Sequence, residues 1–143
     1  MDEPVPDDVS IGDDMAKFLT ELDTHLVKGD RIWELDAPLV YESDLLKCTI
    51  TVPATFQTDF ASVPRVPIVY WFWGGRCHRE AVIHDYLFRS NSIPMVTWMQ
   101  ANDVFLEAMK ARQKSLGVRY PMYWGVCVGS CNLFHVRRVE DRL

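Results

Sequence analysis

The chain has 143 residues, enough for one buried core with tails but not for two independent cores. Hydrophobic residues make up 48%, charged residues 24% and aromatic residues 12%, which excludes a disordered or low-complexity chain as a whole. The formal net charge of -5 argues against a generic nucleic-acid binder, which needs a positive field to hold phosphates.

In chain order, Asp2, Glu3, Asp7, Asp8, Asp13 and Asp14 fill a base-free segment broken by Pro4 and Pro6, read as a solvated N-terminal arm over 1–14. These six acids carry the charge balance: the rest of the chain sums to about +1. The start is acidic where a secretion signal would be basic and then apolar, so the expected site of synthesis is a cytoplasm. No apolar run reaches the roughly 18 residues of a membrane span. Met15, Phe18, Leu19, Leu22 and Leu26 recur at helical spacing and predict a short amphipathic helix from Asp14 to near Gly29.

Between Arg31 and Val52 the texture changes to short apolar-polar stretches. Ile32-Trp33-Glu34-Leu35, Leu39-Val40-Tyr41 and Cys48-Thr49-Ile50-Thr51-Val52 predict two or three strands with a turn around Glu42-Ser43-Asp44. Pro53, Pro64, Pro67 and Gly74-Gly75 punctuate a long irregular loop at about 53–75. One helix is predicted from about Arg76 to Phe88. A longer one runs from about Val96 to Leu116, ended by Gly117, with Trp98, Ala101, Phe105, Ala108, Met109 and Arg112 on one face and Glu107 and Lys110 off it. The apolar stretch Tyr120 to Phe134 fits either a closing helix or a strand, and a charged tail follows at 136–143. The expectation is a single α+β domain over 15–135, with a small antiparallel sheet and two or three helices.

Three polar clusters lie among hydrophobes: Thr58-Asp59-Phe60-Ala61-Ser62-Val63-Pro64-Arg65; His78, Glu80, His84 and Asp85; and Asn102-Asp103. At about 100° per residue, His78 and Asp85 share a helix face while Glu80 and His84 form an i, i+4 pair on another. A metal held by His78 and Asp85 would need further ligands, with Asp59 and Asp103 as the available carboxylates. A hydrolytic site would use His84 as base or ligand, Asp59 or Asp103 to orient it, Ser62 as nucleophile and Arg65 to hold an anion, with a divalent metal as its only candidate cofactor. Against these stands an architectural role, in which Asp59, Ser62, Arg65, His84, Asp85 and Asp103 fix loop backbone and pair with one another.

The aromatic run Tyr70-Trp71-Phe72-Trp73 fits loop packing or a partner contact, and Asp7 and Asp8 of the arm are candidate contacts if an assembly orders them. Cys48, Cys77, Cys127 and Cys131 lack paired Cys-x-x-Cys spacing and read as buried small hydrophobes. His25 and His135 lie outside the clusters, with surface or packing roles.

Taken in order, Trp33 to Tyr41, Ile50 to Arg65, Ala81 to Leu87, Ala101 to Met109 and Met122 to Val126 resemble the phage and prophage domain of unknown function 1353, over about residues 31–130. Thr-Asp-Phe-Ala-Ser-Val-Pro-Arg and His-Asp-Tyr together make the resemblance specific. Thr55 is a departure: the family usually has glycine there, in a Pro-x-Gly-Phe turn, so a glycine-only backbone angle need not carry over. The resemblance implies a phage or prophage origin and a small α+β domain, with no assigned activity. The leading expectation is a virion component of the neck, tail or capsid-associated kind, in contact with other phage proteins. The alternatives are a phage hydrolase acting on cell wall or nucleotide substrate, and a host-directed inhibitor.

Overall fold

The computed structural model describes residues 16–29, 32–58, 78–89 and 91–130. The arm, the C-terminal tail, the run Tyr70 to Trp73 and most of the 53–75 loop lie outside these described residues.

Among the described residues six strands form two three-stranded antiparallel sheets. Strands β1 (Lys17–Phe18), β4 (Leu39–Ser43) and β5 (Cys48–Val52) make one, in the order β1-β4-β5. Strands β2 (Thr24–Lys28), β3 (Ile32–Leu35) and β6 (Gln57–Thr58) make the other, in the order β2-β3-β6. In the β4–β5 hairpin Leu39 opposes Val52 and Tyr41 opposes Ile50, and all four are buried. Period-two alternation therefore places one face of this pair in the core. The hairpin turn falls at 44–47, beginning two residues later than expected, because β4 runs through Ser43.

The expected helix from Asp14 to Gly29 is corrected: its described part forms β1 and β2, in separate sheets. Phe18 lies opposite Tyr41 with ring centroids 4.8 Å apart. Leu19 N donates to Val40 O at 2.9 Å, Thr20 Oγ1 accepts from Val40 N at 2.8 Å, and that hydroxyl donates to Pro38 O at 3.1 Å. A helix would have to bury Leu19 and Leu26 along with Phe18 and Leu22, yet both leucines are exposed. Gly29, at φ +57°, serves the turn leaving β2 rather than ending a helix.

The turn before β6 keeps the left-handed angle although threonine occupies it: Thr55 has φ +72°. Thr55 N donates to Leu35 O at 2.8 Å and Phe56 N to Pro53 O at 3.2 Å, so tertiary bonds hold a conformation that a β-branched residue disfavours. Thr55→Gly is therefore expected to stabilise the fold by about 1 kcal/mol, the relieved strain exceeding the extra unfolded-chain entropy of glycine. The urea midpoint checks this; an unchanged or lower midpoint contradicts it.

Among the described residues three helices pack with the sheets: α1 (His78–Leu87), α2 (Trp98–Ala111) and α3 (Leu116–Ser130). Helix α2 begins with a reciprocal cap, Gln100 N donating to Thr97 Oγ1 at 3.2 Å and Thr97 N to Gln100 Oε1 at 2.9 Å. The expected end at Gly117 is corrected to Gln113. That residue takes φ +54°, and Gln113 N bonds Lys110 O while Lys114 N bonds Met109 O, the two bonds that close a helix through a left-handed residue. Gly117 instead lies in the first turn of α3, and the described part of the Tyr120 stretch, as far as Ser130, is helix with Pro121 inside it.

Helix α1 is buried at every position from Glu80 to Leu87. Its Val82, Ile83, Tyr86 and Leu87 join Leu35, Leu39, Tyr41, Ile50 and Val52 with Val96, Ala101, Val104 and Ala108 of the α2 region in the main core. A second core joins Ala81 to Phe105 and Met109 of α2 and Met122 and Val126 of α3. Helix α2 thus covers the sheet and α1 with one flank and α3 with the other, the layered arrangement of an α+β domain.

Candidate functional site

The polar clusters converge on α1. Thr58, the last residue of β6, donates from Oγ1 to Asp85 Oδ2 at 2.6 Å, joining the start of the Thr-Asp-Phe-Ala-Ser-Val-Pro-Arg stretch to the His-Asp-Tyr stretch. His84 Nε2 lies 2.7 Å from Asn102 Oδ1 on α2. A carbonyl oxygen only accepts, so Nε2 carries the proton and donates. The His84 ring also packs against Phe88 and Phe105, with centroids 4.1 and 5.3 Å away. Thr58, His84, Asp85 and Asn102 are all buried. Two hydrogen bonds thus tie α1 to β6 on one side and to α2 on the other, within the core.

Asp103 stands apart from His84. Adjacent helix residues project about 100° apart, so with Asn102 turned toward α1, Asp103 faces α3 and accepts from Tyr123 OH at 2.8 Å. That bond, and then burial, push the Tyr123 phenol above its ordinary range. His78 and Asp85 do share an angular position but are separated by roughly 10 Å of helix rise. His78 is exposed at the entrance of α1, with its pKa lowered by partial burial and the Lys114 charge, whereas Asp85 is buried against Thr58. Asp59, Ser62 and Arg65 lie outside the described residues, as do Tyr70, Trp71, Phe72, Trp73, Asp7 and Asp8. Among the described residues no group of three or more His, Cys, Asp or Glu side chains is placed to hold a metal ion. Burial, followed by the charge of Glu107, raises the Cys48 thiol pKa, and burial leads in raising that of Cys127; neither environment favours a thiolate nucleophile.

Two further carboxyl groups have environments that their sequence positions do not announce. Glu107, expected off the apolar face of α2, accepts at Oε1 from Tyr41 OH at 2.7 Å and Ser43 Oγ at 2.8 Å, and at Oε2 from Leu45 N at 2.6 Å. It clamps α2 to the β4–β5 hairpin, and burial together with this carboxylate drives the Tyr41 phenol far above its usual range. Its sequence signal is only an acid three residues after Val104 and next to Ala108.

Glu80 is the second. It is completely buried, among the described residues neither carboxylate oxygen has a hydrogen-bond partner, and Arg112 Nε lies 3.9 Å from Oε1. Burial raises its pKa above the ordinary glutamate value, against the opposing pull of its own backbone amide and the charges of Lys114, Arg112 and Arg79. A folded-state pKa above the unfolded one favours the protonated acid. Its stabilisation is complete below the unfolded value of about 4.3 and is lost as pH rises through the folded value. Glu80→Gln is therefore expected to be more stable than the parent by about 1–3 kcal/mol at neutral pH, with the gap closing near pH 4. Chemical denaturation at the two pH values checks this; an equal gap at both means that ionisation of Glu80 is not the cause.

A small α+β domain with a polar motif turned into its core is the class that fold and site define. The chain belongs to the family described as protein of unknown function (DUF1353), whose model matches residues 33–126. No curated protein and no solved structure matches it.

Proposed function

We propose that this is a bacteriophage protein that acts through protein–protein contacts, as a virion component of the neck, tail or capsid-associated kind, made in the host cytoplasm alongside the phage proteins it joins. The observation that carries the reading is the inward orientation of the motif. Thr58, His84, Asp85 and Asn102 are buried and bonded in pairs between β6, α1 and α2, so their described contacts are architectural. Apolar side chains are meanwhile displayed outward: Ile93, Met95 and Met99 are exposed along the entry to α2, and methionine-rich surfaces adapt readily to partners. Phage origin rests on the motif resemblance. No described helix is long and apolar enough to cross a membrane.

Mass spectrometry of purified particles tests the proposal. The chain is expected at a fixed stoichiometry relative to the known head and tail proteins. Its absence from particles made by a phage that expresses it removes the virion reading.

A further inference from the structure

Helix α3 is apolar on two opposite faces, and among the described residues one of them is packed into a core. Met122 and Val126 are buried against Phe105 and Met109 of α2, with Val118 packed beside them. Displaced by two positions, about 200° around the helix, runs a second row with the same four-residue period: Leu116, Tyr120, Trp124 and Val128. These side chains are 61%, 44%, 63% and 75% exposed. A helix apolar all round belongs in an interior, and α3 has one charged residue, Arg119, in its fifteen.

We infer that the Leu116-Tyr120-Trp124-Val128 face of α3 is a self-association surface that packs against the same face of a second copy of this chain. Residues spaced by four form the ridges that interdigitate when two helices cross at about −50°. A two-fold axis level with Met122 brings Tyr120 of each copy to Trp124 of the other. Both aromatics then occupy the centre, where such residues dominate interface energies.

The area supports this occupant. Side chains of these sizes at these exposures present on the order of 500 Å² of apolar surface. A standard interface takes about 800 Å² per partner, and homodimer interfaces are about 65% apolar, which calls for a similar apolar area. The one cation on α3 adds little like-charge repulsion to the pairing. This inference holds whether or not the chain travels in a particle, so it stands or falls separately from the virion reading.

Sedimentation velocity on the full chain across the micromolar range tests it. The parent is expected to shift from 16.6 kDa toward twice that mass as concentration rises. Trp124→Glu is expected to weaken association by about 30-fold or more while leaving the circular dichroism spectrum and melting temperature unchanged, because Trp124 lies outside the core. Should that variant fail to fold, Leu116→Glu makes the same test at the edge of the face. A parent that stays monomeric throughout overturns the inference. So does a dimer that persists in folded Trp124→Glu, which places the interface elsewhere. A monomeric parent that co-sediments with phosphatidylglycerol vesicles also overturns it, assigning the face to a lipid surface.

Discussion

Glu107→Ala is expected to destabilise the fold by about 3 kcal/mol, making it one of the two largest single-site effects predicted for this protein. The carboxylate accepts three hydrogen bonds, from Tyr41 OH, Ser43 Oγ and Leu45 N. Bonds to a charged acceptor contribute about 1.5–3 kcal/mol each and do not add fully, and truncation also strands the polar groups that remain. Tyr41 and Ser43 are buried, so neither hydroxyl turns readily to water once Glu107 is gone. Tyr41→Phe removes one donor and leaves the carboxylate two, so its cost should be about 1 kcal/mol. Combined with Glu107→Ala it should add little, because the stranded hydroxyl is then absent. Urea denaturation of the two single variants and the double variant checks the pattern. Additive costs would mean that the two residues do not share one clamp.

The second large effect concerns the bonds that hold α1. Asp85→Ala is expected to cost about 3 kcal/mol, because it removes the carboxylate that accepts from the Thr58 hydroxyl inside the core, at the point where β6 meets the helix. A Thr58→Val and Asp85→Ala cycle should report a coupling of about 1.5–3 kcal/mol, the range for a charge-assisted bond. The His84–Asn102 pair makes the complementary test. His84→Phe or Asn102→Leu alone leaves a buried polar partner and should cost about 2 kcal/mol, whereas the double variant replaces both with apolar groups and should recover most of the loss. Recovery of stability in the double variant is the signature of an architectural pair. Failure to recover would mean that the His84 ring makes further polar contacts the pair does not explain.

These contacts show where local sequence patterns carry information and where they fail. Helix α2 and strands β4 and β5 are legible because each buries a face whose period appears in its own residues. The segment that forms β1 and β2 is not, because Met15, Phe18, Leu19, Leu22 and Leu26 match a helix while β1 is held by bonds from Val40 and Pro38, about 20 residues away in sequence. Periodicity is blind to such partners. The end of α2 was misplaced for a related reason: Gln113 adopts a left-handed angle that glycine would signal openly, and the nearby glycine diverted the boundary to 117.

The candidate site divides in the same way. The sequence placed Thr58, His84, Asp85, Asn102 and Asp103 in clusters, but cluster membership says nothing about phase around a helix. One residue of phase made Asn102, rather than Asp103, the partner of His84, and sent Asp103 to Tyr123. Glu107 was assigned to the polar side of α2 because a single helix has only its own periodicity to report, and the hydroxyls that approach it belong to a hairpin more than 60 residues earlier.

What the sequence by itself determined is an α+β fold of this family, its central strands and the polar motifs along the chain, because these depend on composition, short-range periodicity and residue order. Only the tertiary structure decided that the motif's described members point inward, that Glu80 is buried without a hydrogen bond from the described residues, and that α3 exposes Leu116, Tyr120, Trp124 and Val128. Each of those outcomes depends on which element packs against which, and packing joins residues that no local pattern relates.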